Sequence, residues 1–475
     1  MDEQERPDAQ EASPHLNSCG QTSPYPSRND IFGLPVTLSP GTDLDAAMES
    51  FNTAAEYYVN YSSAPVEALA KALEADPNFF MAHLVQAAFF GRSNLDRRDL
   101  SAPSDSSAVT ERAADKNLNE RERMYCHGYE AWESGDFDVA MRRFEDLARS
   151  YPTDVIVLRL LHAMYLMLGQ PRRMRDSLMG IAHAWHESMP FYPIFLAMYS
   201  FALEECHEYE FAREKASRAL RMRPDAVWAM HSLAHCHEER SPAHNAIAFL
   251  EGVQDKWQTS ILSGHLFWHL SLYYVDVNNM DRALEIFDTQ LEERLSSGVI
   301  YSLVDAASLL WRMECCGVDV GSKRWQKMIE MFQEHIGKHQ MAWFDIHLMY
   351  ALTHNADPEQ ASKLLLGKKL LESMDTYMSC HTGHNTDVMK QFGYRTCQGL
   401  LSFASGKYEE ACESLLAVQP YSLGCGWSTA QRQVFLMQLY HVAKQADDAK
   451  VANSALSTLR EMKPYSLLVQ RLKLI

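Results

Sequence analysis

The chain is short of positive charge. Its 475 residues carry 44 Lys and Arg against 62 Asp and Glu, a formal net charge of −18. A protein that neutralises nucleic-acid phosphates, or rests by charge on anionic lipid, needs the opposite balance. No nucleic-acid partner and no membrane partner is therefore expected. Long apolar runs are lacking too. The nearest candidate, 155–168, is broken by Arg159 and His162, so no membrane span is expected. The start MDEQERPDAQ has neither the basic nor the apolar stretch of a secretory signal, and Gly does not follow Met1. The ten cysteines include no C-x-x-C, which argues against a zinc knuckle or a disulfide framework. Most sit in apolar helical patterns, where Cys acts as a small hydrophobe. The vicinal Cys315-Cys316 is read the same way, as helix packing rather than a redox pair. A cytoplasmic location is the expectation. Phosphate-binding glycine loops and the G-x-S-x-G elbow are absent as well. The common nucleotide-binding and hydrolase signatures thus find no place here.

What is present is ordinary packing material: 47% hydrophobic and 22% charged residues. Residues 1–30 are rich in Pro, Ser, Asp, Glu and Gln and read as a disordered acidic tail. From Ile31 onward, apolar residues recur at helical spacing, as in Leu284-Ile286-Phe287-Leu291, and Gly and Pro fall between segments. Residues 97–108 read as a loop. Strand-like alternation is scarce, so the fold class is all-α.

A period of about 34 residues organises these helices. The segment ESGDFDVAMRRFEDLARSYP, with Gly135, Phe137, Ala140, Phe144, Ala148 and Pro152, reads as the second half of a helix–turn–helix repeat. Small residues at Ala140 and Ala148 let two antiparallel helices approach. Gly135 ends the first helix and Pro152 stops the second. Equivalent positions fall at Ala140, Met174, Ala212, Ala246 and Ala283, with spacings of 34, 38, 34 and 37. A further copy contains Gly406, Tyr408, Ala411 and Pro420. The clearest repeats span about 121–297, with another over about 387–420. The segment VEALAKALEADP reads as the second helix of an earlier copy. Between about 298 and 386 helices continue, but the spacing fixes no register.

These residues resemble tetratricopeptide repeats. Several stretches resemble the tetratricopeptide repeat protein 38 family more specifically: GLPVTLSPGTDLDAAMESFN at 33–52, MRDSLMGI at 174–181, HSLAHCHEE at 231–239, GHLFWHLSLYYVDVNNMDRALEIFDTQL at 264–291, GVDVGSKRWQ at 317–326 and STAQRQVF at 428–435. The resemblance covers nearly everything after the tail. The chain departs from the family pattern in its acidic tail and over 375–395. The resemblance implies a right-handed α-solenoid over 31–475 and assigns no activity.

It also implies that the first helix of each pair lines a concave groove. That places Trp228, His231, His235, Glu238 and Glu239 of a helix over Val227 to Arg240 on the groove, facing His265 and His269 of the next repeat. The i, i+4, i+7 spacing agrees with one helix face. Three readings of the cluster stay open. In the first, His231, His235, Glu238 and His265 hold a transition metal such as zinc and activate water. In the second, the imidazoles with Trp228 and Trp268 form a pocket for a peptide carboxylate or small anion. In the third, the histidines hydrogen-bond between packed helices and do no chemistry. His162, inside LRLLHAMYLML, reads as a core histidine. Asp305, Asp345 and His347 lie inside apolar helices, where a buried carboxylate needs a partner. Arg432 is the partner the sequence suggests, in a helix-packing ion pair or as the far wall of the same pocket. The pairs His183/His186, His335/His339 and His381/His384 read as exposed or loop residues. The leading functional expectation is a module that binds a peptide, a protein terminus or a small ligand in the groove. The alternative is a metal-assisted hydrolase, and only that alternative calls for a cofactor. The C-terminal helices are expected to pack near the central groove.

Overall fold

The structure is a computed structural model that describes residues 25–62, 65–90, 109–295, 300–353 and 360–472. The expected loop over 97–108 and residues 1–24 of the expected tail lie outside the described residues. Residues counted into that tail are built into the fold from 25 onward. Strand Ser27–Asn29 pairs antiparallel with Pro35–Thr37, Ser27 opposite Thr37. Otherwise the described chain is helical, an all-α solenoid of antiparallel hairpins. It divides into two compact units, the first made of Met1–Val59, Ala64–Gly91 and Ala102–Val157, the second of Asn60–Ser63, Arg92–Ser101 and Leu158–Ile475.

In the first unit, Leu44–Val59 packs on Pro65–Ala75, and Glu120–Glu133 on Phe137–Ser150. The last pair shows how sequence sets a hairpin. Asn119 and Glu122 form a reciprocal capping box at the start. Gly135, at φ +83°, makes the turn. Gly128 faces Phe144 so closely that a Cβ would lie 2.3 Å from the ring. The core of this unit is also polar. Arg121 is fully buried and donates to Asp154 at 2.7 Å and to Asp30 at 2.8 Å. Asp30 in turn accepts the backbone N–H groups of Phe32 and Leu34. Asp30, the last residue of the expected tail, is thereby fixed to the helices.

Glu122 is buried beside them and accepts the backbone N–H groups of Thr37 and Asn119 at 2.8 and 3.0 Å. Burial outweighs these bonds and the nearby Arg121, and pushes its carboxyl up to about 7. A raised folded-state value means that the unfolded chain ionises first as pH rises. The contribution is fully present below about 4.5 and is lost as pH passes through about 7. Urea denaturation should show up to about 3 kcal/mol falling away over that window. In Glu122→Gln that part of the slope should vanish. An unchanged slope in the variant would assign the pH dependence to other groups.

In the second unit, first helices stack side by side: Tyr192–Glu204, Val227–Arg240, Ser263–Asp276, Ile300–Cys315 and Ala342–Thr353. Their partners, among them Tyr209–Met222, Ala243–Gly252 and Ser322–Phe332, form the outer layer. Ala212, Ala246 and Ala283 are completely buried at the hairpin contacts, as the spacing requires, and Met174 is nearly so. The register that blurred beyond 298 is now readable. First helices begin at 227, 263, 300, 342, 384 and 429, so the steps are 36, 37, 42, 42 and 45. The helix from His384 is continuous through a π-turn at Met389–Gly393 into Tyr394–Ala404. The later repeats are simply longer than the motif.

The C-terminal helices return to the inner layer. Thr429–Gln445 packs on Ile300–Cys315 and on Val227–Arg240. Trp427 N–H donates to Leu166 O at 2.8 Å. Gly426 sits there at φ +82°, where a Cβ would lie 2.2 Å from Met167 O. Cys315 and Cys316 are both buried and donate to Gln438 and to the Arg312 carbonyl, which fits the packing role. No described helix is long and apolar enough to cross a membrane.

Candidate metal centre

The expected helix is found at Val227–Arg240. It carries His231 and His235 one turn apart. The adjacent Ser263–Asp276 carries His265 and His269 one turn apart. The two pairs face each other. One ring nitrogen from each of the four lies within 4.8 Å of the others. His231 Nε2 and His235 Nε2 are 3.0 Å apart. The ring centroids of His231 and His265 are 5.0 Å apart, and those of His235 and His269 are 4.6 Å apart. His231, His235 and His269 are buried, and His265 is partly exposed.

Carboxylates stand behind two of the rings. His269 Nδ1 lies 3.0 Å from Glu238 Oε2, and His265 Nδ1 lies 2.9 Å from Asp305 Oδ2. Lys463 Nζ holds the other oxygen of Glu238 at 3.0 Å. A ring that donates its Nδ1–H to a carboxylate presents a bare Nε2 lone pair. His269 Nε2 is buried and has no hydrogen-bond partner. Electrostatics agree with neutral rings. Burial and the neighbouring imidazoles hold His231 and His235 well below the usual histidine range. Burial brings His269 down to about 4, against the opposing bond to Glu238. Burial also resists ionisation of Glu238, but Lys463 and His269 overcome it and hold that carboxyl far below its ordinary value.

Aromatic rings wall the centre. Trp268 stacks on His265, and Trp228 and Phe201 lie against His231. His162 is buried against Phe201 and Trp228, as a core histidine should be. Trp228 is itself covered by Tyr61 at 4.7 Å. The residues expected along an open groove are thus packed inside. Trp228, His231, His235, Glu238 and His269 are all at most 7% exposed.

The other expected residues divide. Asp305 belongs to the centre through His265. Asp345 does not pair with Arg432. Its partner is His339, whose Nδ1 lies 3.2 Å from both carboxylate oxygens and whose Nε2 meets Ser373 at 2.8 Å. His339, read as a loop histidine, is therefore a buried one. It sits just ahead of the Ala342–Thr353 helix and points back onto it. His347 donates from Nδ1 to the carbonyl one turn earlier, Trp343 O, at 2.9 Å. Arg432 lies 3.5 Å from Glu205 and donates to the carbonyls of Gly426 and Trp427.

Glu205 opens a second layer that sequence reasoning missed. Glu204, Glu205 and His235 bring ligand atoms within 4.8 Å of one another. Glu205 accepts from Thr429 N at 2.9 Å, at the start of the C-terminal helix. Glu239 accepts from Gln433 Nε2 at 2.5 Å. Burial pushes Glu239 up to about 8 and Glu204 well above the carboxylate range. A cavity of about 240 Å³ borders this layer. Thr429, Arg432 and Gln433 line it on the polar side, and Trp311, Leu400 and Phe435 on the apolar side.

No protein-family model matches the chain. Among solved structures, the chain is similar to the human IFIT1 dimer with PPP-AAAA, at 11% identity and a TM-score of 0.42, over 88% of this chain and 95% of that one. It is similar to yeast Tom70 at 14% identity and a TM-score of 0.33, over 91% and 89%. It is similar to the TPR domain of P58(IPK) at 11% identity and a TM-score of 0.18, over 69% and 99%. Such values transfer no ligand, activity or partner to this chain.

Proposed function

We propose that the protein is a metal-dependent enzyme acting on a small molecule, with a transition metal such as zinc held by His231, His235, His265 and His269. One observation carries the reading: four imidazoles from two adjacent helices converge within 4.8 Å. Polar groups without a role rarely gather so tightly in a core, because each must be satisfied. A divalent ion would satisfy the converging lone pairs at once. Glu238 and Asp305 fit the outer shell that orients ligating histidines. Glu238, first expected as a ligand, has both oxygens engaged by His269 and Lys463. When bound, the ion would supply Lewis acidity and, in a shell expanded to five with the four imidazoles, a water acidified for hydrolysis. The neighbouring cavity would take the apolar part of the substrate.

Against a groove for an extended peptide stands the burial of the residues that would have lined it. The net charge of −18 speaks against nucleic acid as substrate. Free thiols at the nine described cysteines suit the reducing cytoplasm.

Elemental analysis of untagged full-length protein, with a hydrolase substrate panel, tests the reading. The expected result is a near-stoichiometric transition metal and a hydrolytic activity lost to chelator and to His269→Ala. Failure of every first-row divalent ion to bind in equilibrium dialysis would overturn it.

A further inference from the structure

We propose that a second metal ion binds on the other edge of the His235 ring, held by His235 Nδ1, Glu204 and Glu205, so that this imidazole bridges two ions. The inference rests on the four-histidine centre proposed above.

The two nitrogens of His235 look in opposite directions. Nε2 faces His231 Nε2 at 3.0 Å, inside the four-histidine centre. Nδ1 faces Glu204 Oε2 at 3.5 Å. Both side chains are completely buried. Yet His235 Nδ1 has no hydrogen-bond partner, and neither carboxylate oxygen of Glu204 has one. Three polar atoms aimed at one another and left unbonded call for a missing occupant. A hydrogen bond between nitrogen and oxygen would draw them to about 2.9 Å. Ligand atoms on a tetrahedral ion at its usual bond lengths stand about 3.4 Å apart. The observed separation is that of two ligands of one ion.

Charge points the same way. Glu204, Glu205, Glu238 and Glu239 are all buried in this region. Lys463 neutralises Glu238 at 3.0 Å, and Arg432 stands 3.5 Å from Glu205. Gln433 offers Glu239 an amide rather than a charge. Among the described residues, no Lys or Arg pairs with Glu204. A buried carboxylate persists as an anion only beside a positive charge. Protonating Glu204 would remove the charge, but its O–H would then have to reach the His235 nitrogen across 3.5 Å, longer than a usual hydrogen bond of about 2.9 Å. An ion satisfies both. On binding it, the His235 ring releases its remaining N–H proton to solvent and becomes an imidazolate, with one nitrogen on each ion. Glu205, whose two oxygens each accept from Thr429, completes the set with their remaining lone pairs. The second ion then lies between the four-histidine centre and the carboxylate layer that borders the cavity.

Metal stoichiometry of the full-length chain decides the matter. After loading with zinc and removal of excess, the wild type should hold two equivalents and Glu204→Gln one. His269→Ala should lose the ion of the four-histidine centre. One equivalent in the wild type, unchanged in Glu204→Gln, would overturn the second site and leave the first standing. Two equivalents retained in Glu204→Gln would overturn the ligand assignment. No bound zinc at all would overturn both readings. Should Glu204→Gln not fold, copper loading of the wild type gives an independent answer. Two copper(II) ions joined by one imidazolate couple magnetically and suppress the mononuclear electron paramagnetic resonance signal. A full, uncoupled signal at every loading would overturn the bridge.

Discussion

Arg121→Ala is expected to destabilise the first unit by about 3–5 kcal/mol, the range for removing one member of a buried ion pair. The reason is an imbalance of charge rather than lost packing. One guanidinium serves two carboxylates, Asp154 and Asp30, and all three side chains are completely buried. Without it, both anions stay in the core. Asp154 keeps the Tyr125 hydroxyl and the Ile156 N–H, and Asp30 keeps two backbone N–H groups. Neither keeps a cation. Burial already pushes the Asp30 carboxyl up even with Arg121 beside it. Urea denaturation at neutral pH reads the loss. The variant Arg121→Met keeps much of the buried volume and none of the charge, so it should lose nearly as much as Arg121→Ala. Adding Asp30→Asn to Arg121→Met should recover part of the loss, because one stranded charge then disappears. A mild cost for Arg121→Met alone would assign the effect to packing instead.

The same cluster shows why the tail boundary was misjudged. Asp30 sits in a run of polar residues, and local composition gives no sign that a side chain 91 positions on will bury it. Composition reports average burial, whereas a buried ion pair is a long-range coincidence. Helices of the early repeats were legible for the opposite reason. Their signals are local: Gly135 at the turn, and Ala140, Ala212 and Ala246 at the contacts. Later repeats lost their register because inner helices such as AWFDIHLMYALT are apolar on every face, so amphipathic period cannot mark a side. Their steps also lengthen to 42 and 45 residues.

The candidate site was legible in half. An i, i+4 pair of histidines on one helix, repeated on the next, needs only helical period and repeat register. Of the carboxylate layer, Glu238 and Glu239 were expected beside the histidines, but Glu204 and Glu205 were not. All four end their helices beside polar turns, where acidic residues ordinarily meet solvent. Only the return of Thr429–Gln445 and Lys463 covers them. Arg432 was expected as the partner of the buried carboxylates Asp305 and Asp345, but the carboxylate beside it is Glu205. Glu205 lies 227 positions upstream of it, and spacing says nothing about contacts at that distance.

Zinc is expected to stabilise the second unit by about 4 kcal/mol when free ion exceeds the dissociation constant a thousandfold. His231→Ala and His269→Ala should remove most of that gain. The comparison must be made with and without metal, because the two explanations of the histidine cluster differ in which state suffers. If the rings serve only packing, metal shifts nothing. His269→Ala then weakens the metal-free protein, since Glu238 loses a hydrogen bond to a charged group worth about 1.5–3 kcal/mol. If the rings are ligands, the metal-free protein already bears a penalty. Neutral imidazoles with bare nitrogens crowd together, and His269 Nε2 and His231 Nδ1 lack hydrogen-bond partners. Removing one ring relieves part of that penalty and offsets the bond lost at Glu238. The metal-free variants should therefore sit close to the metal-free wild type, while the metal-loaded wild type stands well above all of them. A large loss in the metal-free variants with no response to zinc in the wild type would return the four histidines to the structural core.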